Sequence, residues 1–281
     1  MKKVLISAAL AVLIGPATRA ASAQSEKAGD AAAGADVTEE RQMTLPAGRM
    51  LIQAFAEVNL STDLVAKPFS IAPDVWYGVS DILTIGLVHS ARGRTGFYGN
   101  AGDGLCLAGT DNGCGKVYNN IGLDGRYHFY REGGMTAAAD GGLYVNSFDP
   151  VQLALKFGAL GRWQSDKLAV ELAPSIFAGL TSRNGDSSVA VSTTNKEIFF
   201  LPVTAIFAVS PQLGLAGQVG AVVPFENTGD TYSIALSVGA QYMVNEQIFA
   251  DAAFSFPDIA GGGDNAGADI RSITLGVGYA R

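Results

Sequence analysis

The chain has 281 residues and a formal net charge of −7, with 48% hydrophobic but only 16% charged residues. Soluble domains average about a quarter of charged residues, so this composition is unusual for a protein surrounded by water on all sides. The sequence contains no run of Lys or Arg, which excludes nucleic acid as an expected partner.

The first 23 residues have the organisation of a secretory signal peptide. Lys2 and Lys3 precede an apolar run over residues 4–14, and Ala21-Ser22-Ala23 supplies a small-residue cleavage site. The apolar run is too short to span a bilayer as a helix. We therefore expect cleavage after Ala23 and export of the mature chain.

Residues 24–47 are polar, acidic and rich in Ala and Gly, without a sustained apolar period. This composition predicts a flexible periplasmic tail. A short amphipathic helix is the alternative, because Ala and Glu favour helices. The sequence leaves open whether the tail enters the domain that follows.

From Arg49 onward, apolar residues recur at every second position, which is the period of a β-strand. One segment shows the sorting clearly, with Gln152, Lys156, Gly158 and Arg162 on its polar face. Its apolar face consists of Val151, Leu153, Leu155, Phe157, Ala159 and Trp163.

Twelve segments share this alternation, and each is long enough for a tilted strand to cross a membrane. They are 49–60, 68–79, 81–91, 116–130, 135–147, 151–164, 167–180, 197–209, 212–225, 230–243, 247–256 and 270–280. We predict an all-β fold over residues 48–281, a transmembrane antiparallel up-and-down β-barrel of about twelve strands. A soluble lipocalin-like barrel would have about eight strands and would turn its apolar faces inward.

The connections between these segments alternate in length, as in membrane barrels with short periplasmic turns and longer external loops. The long connections are 61–67, 92–115, 181–196, 226–229 and 257–269, and 148–150 is short where a longer loop is expected. An even number of strands places both termini on the same side, which we predict to be the periplasm.

Cys106 and Cys114 lie in the 92–115 connection, within a stretch rich in Gly and Asp. Export through an oxidising compartment predicts a local disulfide between them. A metal site would need further His or Cys ligands, which this stretch lacks. We expect no metal and no other cofactor.

The last eight residues resemble the terminal strand signal of Gram-negative outer-membrane β-barrel proteins. Thr274, Gly276 and Tyr279 fit that pattern, whereas Arg281 stands where an aromatic residue usually closes the chain. The resemblance implies outer-membrane lipid as the surroundings and assembly by the barrel-assembly machinery through the C-terminal strand. It is architectural and points to no particular family.

If the polar faces line the lumen, the inward charged residues either border a narrow aqueous passage or pair across the lumen and close it. They are Glu57, Asp74, Asp124, Arg126, His128, Asp140, Lys156, Arg162, Glu171 and Asp251. Twelve strands lie between the eight that fill their interior and the sixteen that leave a channel. Small inward residues on the late strands favour a narrow porin-like channel, and the acidic excess favours cationic or neutral polar solutes.

Two other classes of function remain. A structural or surface-binding barrel, similar to an adhesin or receptor, would use the external loops, above all 92–115. A hydrolase needs a nucleophile held beside a base, but His89 and Ser90 are adjacent and would point to opposite faces of a strand. We therefore do not expect an enzyme.

Overall fold

The computed structural model describes residues 43–61, 65–99, 101–110, 114, 116–183, 195–226, 228–262 and 266–281. The signal peptide and most of the predicted tail lie outside these residues. No helix in the described part of the chain is long and apolar enough to cross a membrane.

The described residues form fourteen strands and two short helices. The first seven strands are β1 (Met50–Asn59), β2 (Phe69–Ser80), β3 (Leu83–Val88), β4 (Leu105–Ala108), β5 (Ile121–Glu132), β6 (Met135–Phe148) and β7 (Val151–Gln164). The others are β8 (Leu168–Leu172), β9 (Ser175–Gly179), β10 (Ile198–Ala208), β11 (Leu213–Pro224), β12 (Ser233–Met243), β13 (Ile248–Gly261) and β14 (Ser272–Ala280). The helices are α1 (Ala91–Thr95) and α2 (Thr228–Thr231).

The sheet closes on itself because β1 pairs with both β2 and β14. β8 and β9 are two halves of one barrel strand, since both pair with β7 on one side and β10 on the other. The interruption between them contains Pro174, whose ring nitrogen has no hydrogen to donate to the ladder. Counting these halves once, and leaving out β4, gives the closed antiparallel barrel of twelve strands that the alternation predicts.

Side chains alternate across the wall as the sequence pattern requires. In β12, Ser237 and Gln241 are buried inside, whereas Leu236 and Val238, on either side of Ser237, are 42% and 58% exposed on the outside. Apolar residues also lie side by side on the outer face of neighbouring strands, where Leu143 is paired with Leu123 and Leu155. The barrel thus has an apolar exterior, and its interior combines polar side chains with a hydrophobic cluster that includes Trp76, Tyr144 and Phe177.

The greatest departure from the sequence prediction lies after β3. The predicted third strand runs to residue 91 and an external loop follows, but β3 ends at Val88 and the chain turns into the barrel. α1 lies in this inward part, and β4 then pairs with β2 at Phe69–Ile71, beyond the end of β3.

The barrel also includes the last residues of the predicted tail. Met43 and Thr44 are buried, and Leu45 N–H donates to Thr84 Oγ1 over 2.7 Å. Gly48 N–H donates to the carbonyl oxygen of Gly78 over 2.8 Å. Residues 43–47 therefore belong structurally to the barrel.

The apolar exterior generates a test of the membrane environment. Val238 lies in the middle of β12, whereas Val244 lies in the turn after it, and both are 58% exposed. Val238→Lys should lower the free energy of unfolding by about 2–4 kcal/mol, but Val244→Lys by only about 0–1 kcal/mol, because the cost of a lysine falls towards the interface. Urea unfolding in lipid vesicles measures both values. Equal effects of the two substitutions would contradict a hydrocarbon environment around β12.

Candidate functional site

Residues 89–99 and 101–104, between β3 and β4, lie in the interior of the barrel; we call them the inward segment. Its first end is fixed to β2 by Asp74, whose Oδ1 accepts the N–H groups of His89 (2.7 Å) and Ser90 (3.0 Å). Ser90 then caps α1, because its Oγ accepts the N–H of Gly93 over 2.9 Å. A buried carboxylate on the wall thus sets the direction in which the helix enters the lumen.

The other contacts of the inward segment reach the opposite wall. Arg92 Nη1 lies 3.1 Å from Asp251 Oδ2 on β13. Gln218 Oε1 on β11 accepts the N–H of Tyr98 over 2.8 Å, and Ser255 Oγ on β13 donates to the carbonyl oxygen of Tyr98 over 2.9 Å. The segment is therefore held between β2 and the β11–β13 wall.

Small inward residues on the late strands leave room for the crossing contacts. A Cβ atom at Gly220 would lie 2.5 Å from Phe97 Cε1 of the inward segment, and one at Gly276 would lie 2.5 Å from Oδ1 of Asp251, the wall carboxylate that binds Arg92. Only glycine permits such close approach at these two positions. Part of the volume that the sequence assigns to an open lumen is thus filled by side chains.

The inward segment separates two cavities, and Thr95 and Tyr98 contribute to the lining of both. The cavity towards the short turns, which we call the turn-side cavity, has a volume of about 160 Å³. The loop-side cavity, towards the long connections, has a volume of about 870 Å³. Thr95 and Tyr98 of the inward segment therefore lie at the boundary between the two cavities.

Charged residues of the β5–β7 wall are paired along the wall. Lys156 Nζ lies 2.8 Å from Asp124 Oδ2 and 2.6 Å from Asp140 Oδ2. The hydroxyl of Tyr144 donates to the Asp124 carboxylate. The Arg126 guanidinium lies over the Trp76 ring, 3.8 Å from its centroid. Each of these contacts joins strands that are adjacent or next but one in the sheet, so the groups pair along the wall and not across the lumen.

The remaining sequence-predicted lumen residues have different surroundings. Arg162 Nη1 lies 3.3 Å from Glu171 Oε1, again on neighbouring strands. Glu57 is buried, with Ser70 Oγ at 3.4 Å. His128 is half-buried and contacts the backbone of its own strand near the turn after β5. Of the ten residues, Asp74 and Asp251 hold the inward segment, and Arg126, Asp140, Lys156 and Glu171 line the turn-side cavity.

The predicted disulfide between Cys106 and Cys114 is confirmed. Cys106 lies in β4, and its N–H donates to the carbonyl oxygen of Val117 over 2.8 Å. Leu105 forms a bridge with Tyr118. β4 therefore fills the wall beyond the end of β3, between β2 and the chain that leads to β5, and the disulfide ties residue 114 to it.

His89 and Ser90 form no nucleophile–base pair. Ser90 Oγ contacts Asp74 and Gly93, whereas His89 Nε2 lies 2.8 Å from the hydroxyl of Tyr118. Both residues lie beyond the end of β3, so the strand geometry expected from the sequence does not apply to this pair.

Several lumen residues that sequence reasoning missed lie in the predicted external loop. They include Arg92, Arg94, Phe97, Tyr98 and Asp103. Burial raises the pKa of Asp103, and the Arg94 guanidinium, 2.9 Å away, opposes that rise. This stretch contains two arginines, followed by two adjacent aromatic residues between glycines. That sequence signal would have indicated that the stretch packs inside the barrel.

No family model matches the chain, and no curated protein matches its sequence. Solved structures do match its fold. The NanC porin has a TM-score of 0.55 at 10% identity, covering 82% of this chain and 98% of its own. The KdgM porin has a TM-score of 0.53 at 9% identity, with the same two shares. An outer-membrane channel from Pseudomonas putida F1, described as COG4313, has a TM-score of 0.52 at 13% identity, covering 85% of this chain and 97% of its own.

The chain has the fold of outer-membrane porins. At these identities the likeness establishes the architecture, and the function needs a separate argument from the lumen.

The Arg92–Asp251 contact across the lumen can be tested by a double-mutant cycle. We expect Arg92→Ala and Asp251→Ala to couple by about 1–3 kcal/mol in the free energy of unfolding, because their side chains are only 16% and 3% exposed. The control is Lys116–Asp149, with side chains 58% and 66% exposed, which should couple by less than about 1 kcal/mol. Additive effects of the Arg92 and Asp251 substitutions would show that the inward segment is not held by this contact.

Proposed function

We propose that this protein is an outer-membrane channel for passive diffusion of small polar solutes. The observation that carries the proposal is the interior of the barrel, where one segment lies between two cavities that are lined by both polar and apolar side chains. A purely structural barrel would fill this space with packed side chains, as barrels of about eight strands do.

The inward segment would restrict passage around Thr95 and Tyr98, which border both cavities. Charged groups near it are largely compensated, because Lys156 is paired with two aspartates and Arg92 with Asp251. Lumen charges set the selectivity of a channel. Because the charges here are paired, we expect only a weak preference between small cations and neutral solutes.

The porin fold supports this proposal, because the NanC and KdgM neighbours are porins and KdgM has also been solved in complex with disordered oligogalacturonate.

We further propose that outer-membrane lipid surrounds the barrel, that both termini are periplasmic, and that assembly uses the C-terminal strand. Thr274, Gly276 and Tyr279 lie on β14, the strand that completes the barrel by pairing with β1 and β13.

The surface-binding alternative depended chiefly on the 92–115 connection. Much of that stretch is now occupied in the barrel itself, since α1 lies in the lumen and β4 pairs with β2. Deleting residues 100–115 would test binding by this connection, but it would also remove β4 and open the wall. It would therefore not distinguish a surface-binding barrel from a channel.

Adjacent residues on β7 provide a sharper test. Leu160 lines the turn-side cavity, whereas Ala159 is exposed on the outer face. In planar bilayers we expect Leu160→Trp to lower the single-channel conductance, because the larger ring narrows a cavity of about 160 Å³. Ala159→Trp should leave conductance unchanged. A wild-type protein without conductance above that of a protein-free bilayer would refute the channel.

A further inference from the structure

The loop-side cavity has one strongly apolar side. Phe177 and Phe200 pack edge to face with centroids 5.4 Å apart, and Phe97 of the inward segment lies 6.3 Å from Phe200. Ile198 and Val222 continue this surface along β10 and β11. Aromatic and aliphatic groups thus form a patch inside an otherwise polar lumen.

Amide side chains also line this cavity. They belong to Asn119, Asn120, Asn146, Gln152 and Asn195. Asn119 Oδ1 accepts the N–H of Lys116 over 2.8 Å, but Asn119 Nδ2 is buried and has no hydrogen-bond partner among the described residues. Leaving a buried donor unpaired costs about 1–3 kcal/mol, so an occupant that supplies an acceptor would be stabilised here.

Asp103 presents the complementary group to the same cavity. It is 7% exposed, and its Oδ1 is taken by Arg94 Nη2 at 2.9 Å and Asn120 Nδ2 at 3.1 Å. Its Oδ2 is buried and finds no hydrogen-bond partner in the described ranges. A hydroxyl group can donate to this oxygen, whereas an anion cannot.

The other charged residues of the lining are also paired. Lys196 Nζ contacts the Glu226 carboxylate, and Asp149 Oδ2 lies 3.0 Å from Lys116 Nζ. Each charged side chain of the described lining is therefore in an ion pair, which weakens its attraction for an acidic solute. Asn119 Nδ2 and Asp103 Oδ2 are a donor and an acceptor without a partner among the described residues, and an uncharged hydroxyl group can bond to either.

We propose that the loop-side cavity binds neutral polyhydroxylated solutes with one apolar face, which is the chemistry of a sugar ring. This inference rests on the proposed channel function and names its solute class. The C–H face of the ring would pack on Phe200 and Phe177, while hydroxyl groups bond with Asp103 Oδ2 and Asn119 Nδ2. A volume of about 870 Å³ falls within the range of about 300–1,000 Å³ typical of ligand sites.

The test is single-channel current in potassium chloride with increasing maltose. We expect a saturable decrease of the current, and no saturation with a polyethylene glycol of the same hydrodynamic size. Phe200→Leu and Asn119→Ala should each raise the half-blocking maltose concentration roughly 2- to 10-fold, the loss expected for one aromatic contact or hydrogen bond. Phe199→Leu, at the preceding position of β10, is the matched control and should leave that concentration unchanged.

The outcomes separate this inference from the channel itself. If the wild-type protein conducts ions but maltose gives no saturable block, the inference fails and the channel stands. The inference also fails if galacturonate blocks as well as maltose, because the cavity would then accept anions. Absence of any ionic conductance overturns the channel and the inference together. Comparison of maltose, polymer and galacturonate uses only the wild-type protein, so it does not depend on the folding of a variant.

Discussion

In hydrocarbon, an unpaired backbone N–H or C=O group costs several kcal/mol, so a sheet can span a membrane only when it has no free edge. Here the pairing of β1 with β14, from Leu51 opposite Ala280 to Asn59 opposite Ser272, removes that edge. The same constraint governs how a chain segment can enter the lumen. Any segment that leaves the wall exposes backbone groups on its neighbour, and something must replace it.

The inward segment meets this requirement through β4. When β3 ends at Val88, the part of β2 around Phe69–Ile71 would lose its partner. β4 returns to pair with it and is joined on its other side to Val117 and Tyr118. The Cys106–Cys114 disulfide fastens this return. The inward segment can therefore enter the lumen without opening the wall. Its position in the lumen depends on β4 taking the place of β3 beside β2.

Electrostatics inside the barrel follows from the same closure. Buried charges need partners close by, because removing one partner of such a pair is strongly destabilising. On the β5–β7 wall those partners lie on the adjacent strand or the next one, as with Lys156 on β7, Asp140 on β6 and Asp124 on β5. Asp251 is different because its partner Arg92 arrives on α1 from the far side. The ion pairs of Lys156 therefore lie along the wall, whereas the Arg92–Asp251 pair holds the inward segment between the two cavities.

By itself, the sequence determined the twelve barrel strands, their inward and outward faces and the disulfide. It could do so because successive side chains of a strand point to opposite sides of the wall, so an apolar outer face and a polar inner face impose a period of two, as Leu236, Ser237 and Val238 illustrate. The path of residues 89–104 was decided only by the tertiary structure. No period marks that stretch, and the residues that hold it, Gln218 and Asp251, are more than a hundred positions away in the chain. Alternation reports which face a residue lies on, but carries no information about which group meets it across the lumen.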